Sequence, residues 1–318
     1  LKADAVFEGG GVRGIAFIGA IQAMEEETVK WERLAGTSAG ALIAALLASG
    51  YKSYEISDRV SELNFSKLRG KTFLNRIPVL GVFLELMINL GIYKNDYLES
   101  WVDSLLAEKG IMTFADLPDG KLKVIASDIS NGRMLILPDD LERYRMTPAD
   151  LKVSTAVMMS ASMPFFYRPV IWKSKERNKS YILDGGLLSN FPIWIFDTDN
   201  PRFPTFGFHF VKDKVSIDAV IPTPIHLFKN IFKTMLQAHD LRHMNEETIE
   251  RTIQIPAGDI NATDFELNED EIDFLYSSGY TAAKEFLSKW DFEQYKVKRM
   301  QRVKNKQMKE KRKKERLF

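Results

Sequence analysis

The chain has 318 residues, 45% of them hydrophobic, and a formal net charge of +1. That allows one large α/β domain or two small ones, and no Gly/Ser/Pro-rich linker or internal repeat divides it. The absence of cysteine excludes a disulfide framework and thiolate chemistry, and no signal peptide is legible.

The first apolar run, Ala5-Val6-Phe7, leads through Gly9-Gly10-Gly11-Val12-Arg13-Gly14 into a mostly apolar helix from Ile15. Consecutive glycines let several backbone N–H groups turn toward one point and form an anion-holding nest. Gly9, Gly11 and Gly14 also meet the bare G-x-G-x-x-G spacing of a dinucleotide site. Such a site wants a carboxylate where the second strand ends. Residues 31–35 run instead into Gly36-Thr37-Ser38-Ala39-Gly40, followed by an Ala/Leu-rich helix. A G-x-S-x-G turn between strand and helix holds a serine hydroxyl on a tight bend above a helix N-terminus. Small neighbours admit a substrate carbonyl, and the helix end favours the negative charge that develops in acyl transfer. An oxyanion nest beside a serine explains both glycine loops, whereas a nucleotide site explains one.

Residues 77–93 form the most apolar stretch outside these helices, broken by Pro78 and Glu85 and shorter than the ~20 residues of a membrane span. The stretch suits a core-packed helix, a cap over an acyl pocket, or a face that meets lipid. Phe165, Phe166 and Tyr167 suit either an acyl groove or ordinary core packing. Further on, the strand-like residues 180–183 end in Asp184-Gly185-Gly186, which sets a carboxylate on a corner with nothing bulky beside it. Ser38, Asp184 and His209 stand in the chain order of an α/β-hydrolase triad, yet His209 sits inside the strand-like run 205–211. His239 and His243 share one helix face, but Asp240 stands where a zincin has Glu, so a structural role is expected and no metal.

Residues 296–318 carry eight Lys and four Arg against Glu310 and Glu315, a net +10 that leaves −9 on the rest of the chain. Such a tail is attracted to anionic surfaces. Anionic membrane is the expected partner, and no nucleic acid is expected, because the motifs point to lipid.

Together these segments resemble the patatin-like phospholipase family. The matching residues are Phe7-Glu8-Gly9-Gly10-Gly11-Val12-Arg13-Gly14, Gly36-Thr37-Ser38-Ala39-Gly40, and Asp184-Gly185-Gly186 with Asn190 and Pro192. Ala161-Ser162-Met163-Pro164-Phe165-Phe166 and Gly91-Ile92-Tyr93 add to the likeness, which is dense over 3–50 and 122–210 and weak after about 255. The resemblance implies a three-layer α/β/α fold with a largely parallel central sheet over residues 1–290, ahead of a basic tail at 291–318. It implies a lipid acyl hydrolase with Ser38 as nucleophile and Asp184 as base, working through an acyl-enzyme. Gly9, Gly10 and Gly11 would supply the oxyanion donors, Val12, Arg13 and Gly14 would complete that loop, and Gly36, Gly40, Gly185 and Gly186 would support the two corners. Phospholipid or another acyl lipid is the implied substrate, with no cofactor. Two other uses of the same residues are an acyltransferase and a non-catalytic lipid-binding protein. With no span, the expected location is cytoplasmic with peripheral membrane contact.

Overall fold

The computed structural model describes residues 1–70, 80–173, 179–211, 230, 231, 234 and 245–315. Strand β1 (Lys2–Phe7) is buried from Ala3 to Phe7, as a central parallel strand covered on both faces must be. Helix α1 (Ile15–Glu26), strand β2 (Lys30–Thr37) and helix α2 (Ala39–Ala48) follow. The sequence of α2, AGALIAALLA, is built from strong helix formers and is buried over most of its circumference. Next come α3 (Ser53–Ser61), α4 (Leu80–Asn89), β3 (Gly91–Tyr93) and α5 (Asp96–Glu108). Strands β4 (Leu122–Asp128) and β5 (Arg133–Leu137) form a hairpin ahead of α6 (Val153–Ala161). The chain continues through β6 (Phe165–Tyr167), β7 (Val170–Lys173), β8 (Lys179–Asp184) and β9 (Thr205–Val211). It ends in α7 (Glu246–Glu250), β10 (Thr252–Pro256), α8 (Glu269–Lys289) and α9 (Phe292–Glu315).

The main sheet runs β10-β9-β1-β2-β4-β8-β7, with β5 also paired to β4. The strands from β10 to β4 are parallel, as expected from their alternation with helices. Strands β5, β8 and β7 instead pair antiparallel. One edge of β4 carries two partners. Residues 122–125 pair with β2, ending at Thr37 opposite Ile125, and residues 126–128 pair with β8, which places Asp184 opposite Ala126. Since β5 holds the other edge over residues 124–128, β2 and β8 arrive from opposite ends and meet head to head.

Helices α1, α2, α6 and α8 cover one face of the sheet, where Phe7 stacks on Phe208 at 4.5 Å and Phe17 on Phe210 at 4.6 Å. On the other face Val6 and Ala35 pack against Phe191, Ile193 and Phe196. The second layer is therefore made, among the described residues, of 3-10 turns at Gly185–Leu187 and Ile193–Phe196. A smaller cluster of Val12, Leu63, Leu68 and Phe265 joins Phe166 and Tyr97 beside β3 and β6.

The basic C-terminal segment begins as part of the folded body. In α9, Tyr295 is buried and Arg299 donates to the Thr198 carbonyl at 2.8 Å and pairs with Glu247. Lys298 and Arg302 both reach Glu250, at 3.1 and 3.0 Å. No helix among the described residues is long and apolar enough to cross a membrane.

Helices α1 and α8 approach closely through two glycines. A Cβ on Gly19 would lie 2.0 Å from the Tyr276 carbonyl oxygen, and one on Gly279 only 1.8 Å from that of Ala16. Alanine normally gains about 1 kcal/mol over glycine inside a helix. Here overpacking against backbone, worth about 1–3 kcal/mol and beyond relief by any rotamer, outweighs that gain. Gly279→Ala is expected to lower the unfolding free energy in urea by about 2 kcal/mol; a stabilised variant would mean that the helices part at no cost.

Candidate active site

Ser38 occupies the junction of β2 and α2 with φ 54° and ψ −122°. A non-glycine residue holds such a conformation at a cost of about 1–3 kcal/mol, so the surroundings must impose it. The Ser38 N–H donates to Ser160 Oγ at 2.8 Å, and its carbonyl accepts the Ala41 N–H at 2.9 Å. Glycine is required on both sides of the turn: a Cβ on Gly36 would stand 2.2 Å from the Gly40 carbonyl oxygen, and one on Gly40 2.4 Å from that of Phe7. The serine side chain is half-buried at the N-terminus of α2, where the helix dipole is positive.

The head-to-head meeting of β2 and β8 brings Asp184 to this corner, close enough to the Ser38 hydroxyl for the hydroxyl to favour the ionised carboxylate. Asp184 is held from three sides. Its N–H donates to the Ser162 carbonyl at 2.9 Å, its Oδ1 accepts the Gly186 N–H at 2.8 Å, and Gly185 lies against the Ile125 carbonyl, where a Cβ would stand 2.3 Å away. Burial pushes the Asp184 carboxyl up to about 7, against the opposing pull of the Gly186 N–H and the Ser38 hydroxyl.

The glycine nest passes directly beside the serine: a Cβ on Gly9 would be 3.4 Å from Ser38 Cβ. The Gly9 N–H is committed to the Asn190 carbonyl at 3.1 Å, and the Val12 N–H to the Ala262 carbonyl at 3.1 Å. The Gly10 and Gly11 N–H groups have no such partner among the described residues. Their directions are fixed indirectly, since a trans peptide points its C=O and N–H to opposite sides. Asn190 Nδ2 reaches the Gly9 carbonyl at 3.4 Å, and the Gly10 carbonyl accepts both the Arg13 N–H and Arg13 Nε at 3.2 Å. Arg13 itself lies over the Phe210 ring at 4.7 Å. Gly11 adopts φ +55°, and a Cβ there would be 1.9 Å from the Ala262 oxygen.

Behind the nest, buried Glu8 accepts Asn190 Nδ2 at 2.8 Å and the Phe210 N–H at 2.6 Å. His209 Nδ1 lies 2.8 Å from Glu8 Oε2, and its ring packs 5.1 Å from Phe191. The imidazole thus faces Glu8, while Asp184 is the carboxyl group beside the serine. His239 and His243 lie outside the described residues, and no cluster of potential metal ligands is found among those described.

Most of the sequence-derived candidates converge: Ser38, Asp184, the nest and the four supporting glycines share one corner of the sheet. Two contributors were missed. Ser160 has only the small-residue run before Ser162 as a signal, and Ala262 acts through its carbonyl, which no side chain announces.

Comparison with known proteins follows the same outline. YqhO of Bacillus subtilis (strain 168) is 40% identical over 290 residues, covering 91% of this chain and 99% of its own. A protein of Invertebrate iridescent virus 6 named "Probable lipid hydrolase 463L" is 25% identical, over 68% of this chain and 67% of its own. Among solved structures, VipD from Legionella pneumophila has a TM-score of 0.55 at 18% identity, over 90% of this chain and 66% of that one. ExoU of Pseudomonas aeruginosa, in its complex with SpcU, gives 0.52 at 18% identity, over 95% of this chain and 52% of that one. At that identity the two structures speak for the fold alone. Because residues 5–197 match the patatin-like phospholipase profile over more than half of the chain, this protein belongs to the patatin-like phospholipase family.

Proposed function

We propose that the protein is a lipid acyl hydrolase that cleaves carboxylic esters of phospholipids, lysophospholipids or related lipids with a Ser38–Asp184 dyad. The observation that carries this reading is the placement of a buried aspartate beside a half-buried serine, close enough for the hydroxyl to act on its carboxyl group. A serine hydroxyl becomes nucleophilic when a base takes its proton, and a carboxylate near 3.9 is too weak a base to do so well. A carboxyl raised to about 7 is matched to the task.

In this scheme Asp184 takes the Ser38 proton as Oγ attacks the ester carbonyl carbon. The resulting oxyanion is held by the Gly10 and Gly11 N–H groups, with the N-terminus of α2 adding its dipole. Gly9 keeps its N–H on Asn190 and contributes by letting the chain pass close to Ser38. As the tetrahedral intermediate collapses, the C–O bond breaks and Asp184 returns the proton to the departing alcohol or lysophospholipid. Water then attacks the acyl-enzyme and gives a proton to Asp184. As the second tetrahedral intermediate collapses, the C–Oγ bond breaks, the fatty acid leaves and Asp184 returns the proton to Ser38 Oγ. The name of the viral relative favours lipid as the substrate class.

Ser38→Ala and Asp184→Asn are each expected to lose more than about a thousandfold in kcat on a panel of phospholipid, lysophospholipid and p-nitrophenyl acyl esters. His209→Ala is expected to stay within about tenfold of wild type, because its partner is Glu8. A dead His209→Ala beside an intact fold would restore the triad.

The acid limb of kcat/KM is expected to follow a single ionisation near 7, with activity lost as pH falls, since only the ionised carboxylate acts as base. Stability should move the opposite way. The native carboxyl keeps its proton up to about 7, whereas the unfolded chain releases it near 4. The native state therefore loses stability as pH rises through that window. Asp184→Asn removes this loss, so its gain in melting temperature over wild type should be larger at about pH 8 than at about pH 4. An equal gain at both would place the carboxyl at its ordinary value.

A further inference from the structure

Helix α4 is turned inside out for a helix in water. Its stripe of Leu80, Phe83, Met87 and Ile88 follows the i, i+3, i+7, i+8 spacing of an apolar face, yet these side chains are 56–67% exposed. Its one charged residue, Glu85, is 1% exposed on the opposite side, where it accepts Arg168 Nη2 and Asn89 Nδ2, each at 2.8 Å. A carboxylate is tolerated out of water only where it is paired and hydrogen-bonded, so the Arg168 pairing favours the orientation in which Glu85 faces inward. Leu90 and Phe165, also exposed, continue the patch past the end of α4.

From this arrangement we infer that the α4 face is the surface by which the protein enters a lipid interface, lying flat with its apolar stripe among the acyl chains. The inference deepens the hydrolase reading and rests on it for the choice of lipid over other apolar partners. Three observations favour that occupant. A ten-residue helix is about 15 Å long, half of a bilayer core, which suits a helix lying in the interface rather than one crossing it. Exposed Lys67 and Lys94 lie on the neighbouring chain, where Gly70 bridges Lys94, and they put positive charge at the level of lipid headgroups. The patch is also tied to the catalytic corner: α4 runs into β3, Gly91 of β3 pairs with Phe165 of β6, and three residues before Phe165 the Ser162 carbonyl holds the Asp184 N–H. By contrast, Lys298, Arg299 and Arg302 of the basic C-terminal helix are already occupied by carboxylates of the body.

The test uses vesicles of phosphatidylcholine containing a quarter phosphatidylglycerol. Ser38→Ala, with and without the combined changes Phe83→Ser, Met87→Ser and Ile88→Ser, is sedimented with them. The triple change is expected to weaken binding on the order of a hundredfold. In the protein that keeps Ser38, the triple change should cut hydrolysis of vesicle lipid to match, while hydrolysis of a soluble short-chain ester stays within about twofold. The chain has no cysteine, so Met87→Cys and Met308→Cys can each carry a single polarity-sensitive fluorophore. The label at 87 should shift to the blue on vesicles and the label at 308 should not. Vesicle binding that survives the triple change, a label shift at 308 alone, or no vesicle binding at all would overturn the inference. So would a wild-type dimer that the triple change converts to monomer without loss of vesicle binding, which would assign the face to a second copy. If no ester is hydrolysed but binding still depends on the stripe, the surface stands and the hydrolase reading falls.

Discussion

Two strands of opposite direction share one edge of β4, and the geometry of the Ser38–Asp184 corner follows from that collision. Strand β2 ends at Ile125 and β8 ends at Ala126, adjacent residues on a single template. Sheet pairing fixes the backbone to within fractions of an ångström, so the side chains that leave those two ends are positioned by the most rigid part of the fold. The glycines at the corner are needed for the same reason. Gly36, Gly40 and Gly185 each press against a backbone carbonyl that a methyl group would push away.

The site holds two costly features side by side. Ser38 sits in strained backbone, and Asp184 is a carboxyl group out of water. Each is kept in place by a bond from a segment distant in sequence, Ser160 to the serine N–H and Ser162 to that of the aspartate, while Gly186 holds the aspartate locally. The oxyanion loop is held the same way, by Asn190 on one side and the Ala262 carbonyl on the other. Glu8 gathers Asn190, Phe210 and His209 behind it, so His209, the one histidine among the described residues, belongs to the scaffold of the nest.

What the sequence disclosed was whatever is written locally. Glycine runs at strand ends, a serine between two of them and an Asp-Gly-Gly corner are contiguous signals, and they located the nest, the elbow and the aspartate. The parallel half of the sheet was legible from its alternation with helices. Strand direction in β5, β7 and β8 was not, because alternation along a strand is the same whichever way its neighbour runs. The Ser160 and Ala262 contacts are tertiary, and a carbonyl acceptor carries no residue identity. Composition found the apolar stretch that contains α4 but not the side its apolar residues face, which the Glu85–Arg168 pair decides. The charges of the C-terminal segment read the same whether solvated or paired, so the docking of Arg299 came only from the structure.

The shared edge of β4 also has a consequence in time. During synthesis the serine elbow and the nest emerge early, but Ser38 has no Asp184 beside it until β8 has been made and has docked at the end of β2. The nest in turn lacks its braces until Asn190 and then Ala262 arrive. Contacts of such long sequence separation close late in folding. Under the proposed mechanism a nascent chain therefore carries an inert serine, and chemical competence would mark the completion of the fold.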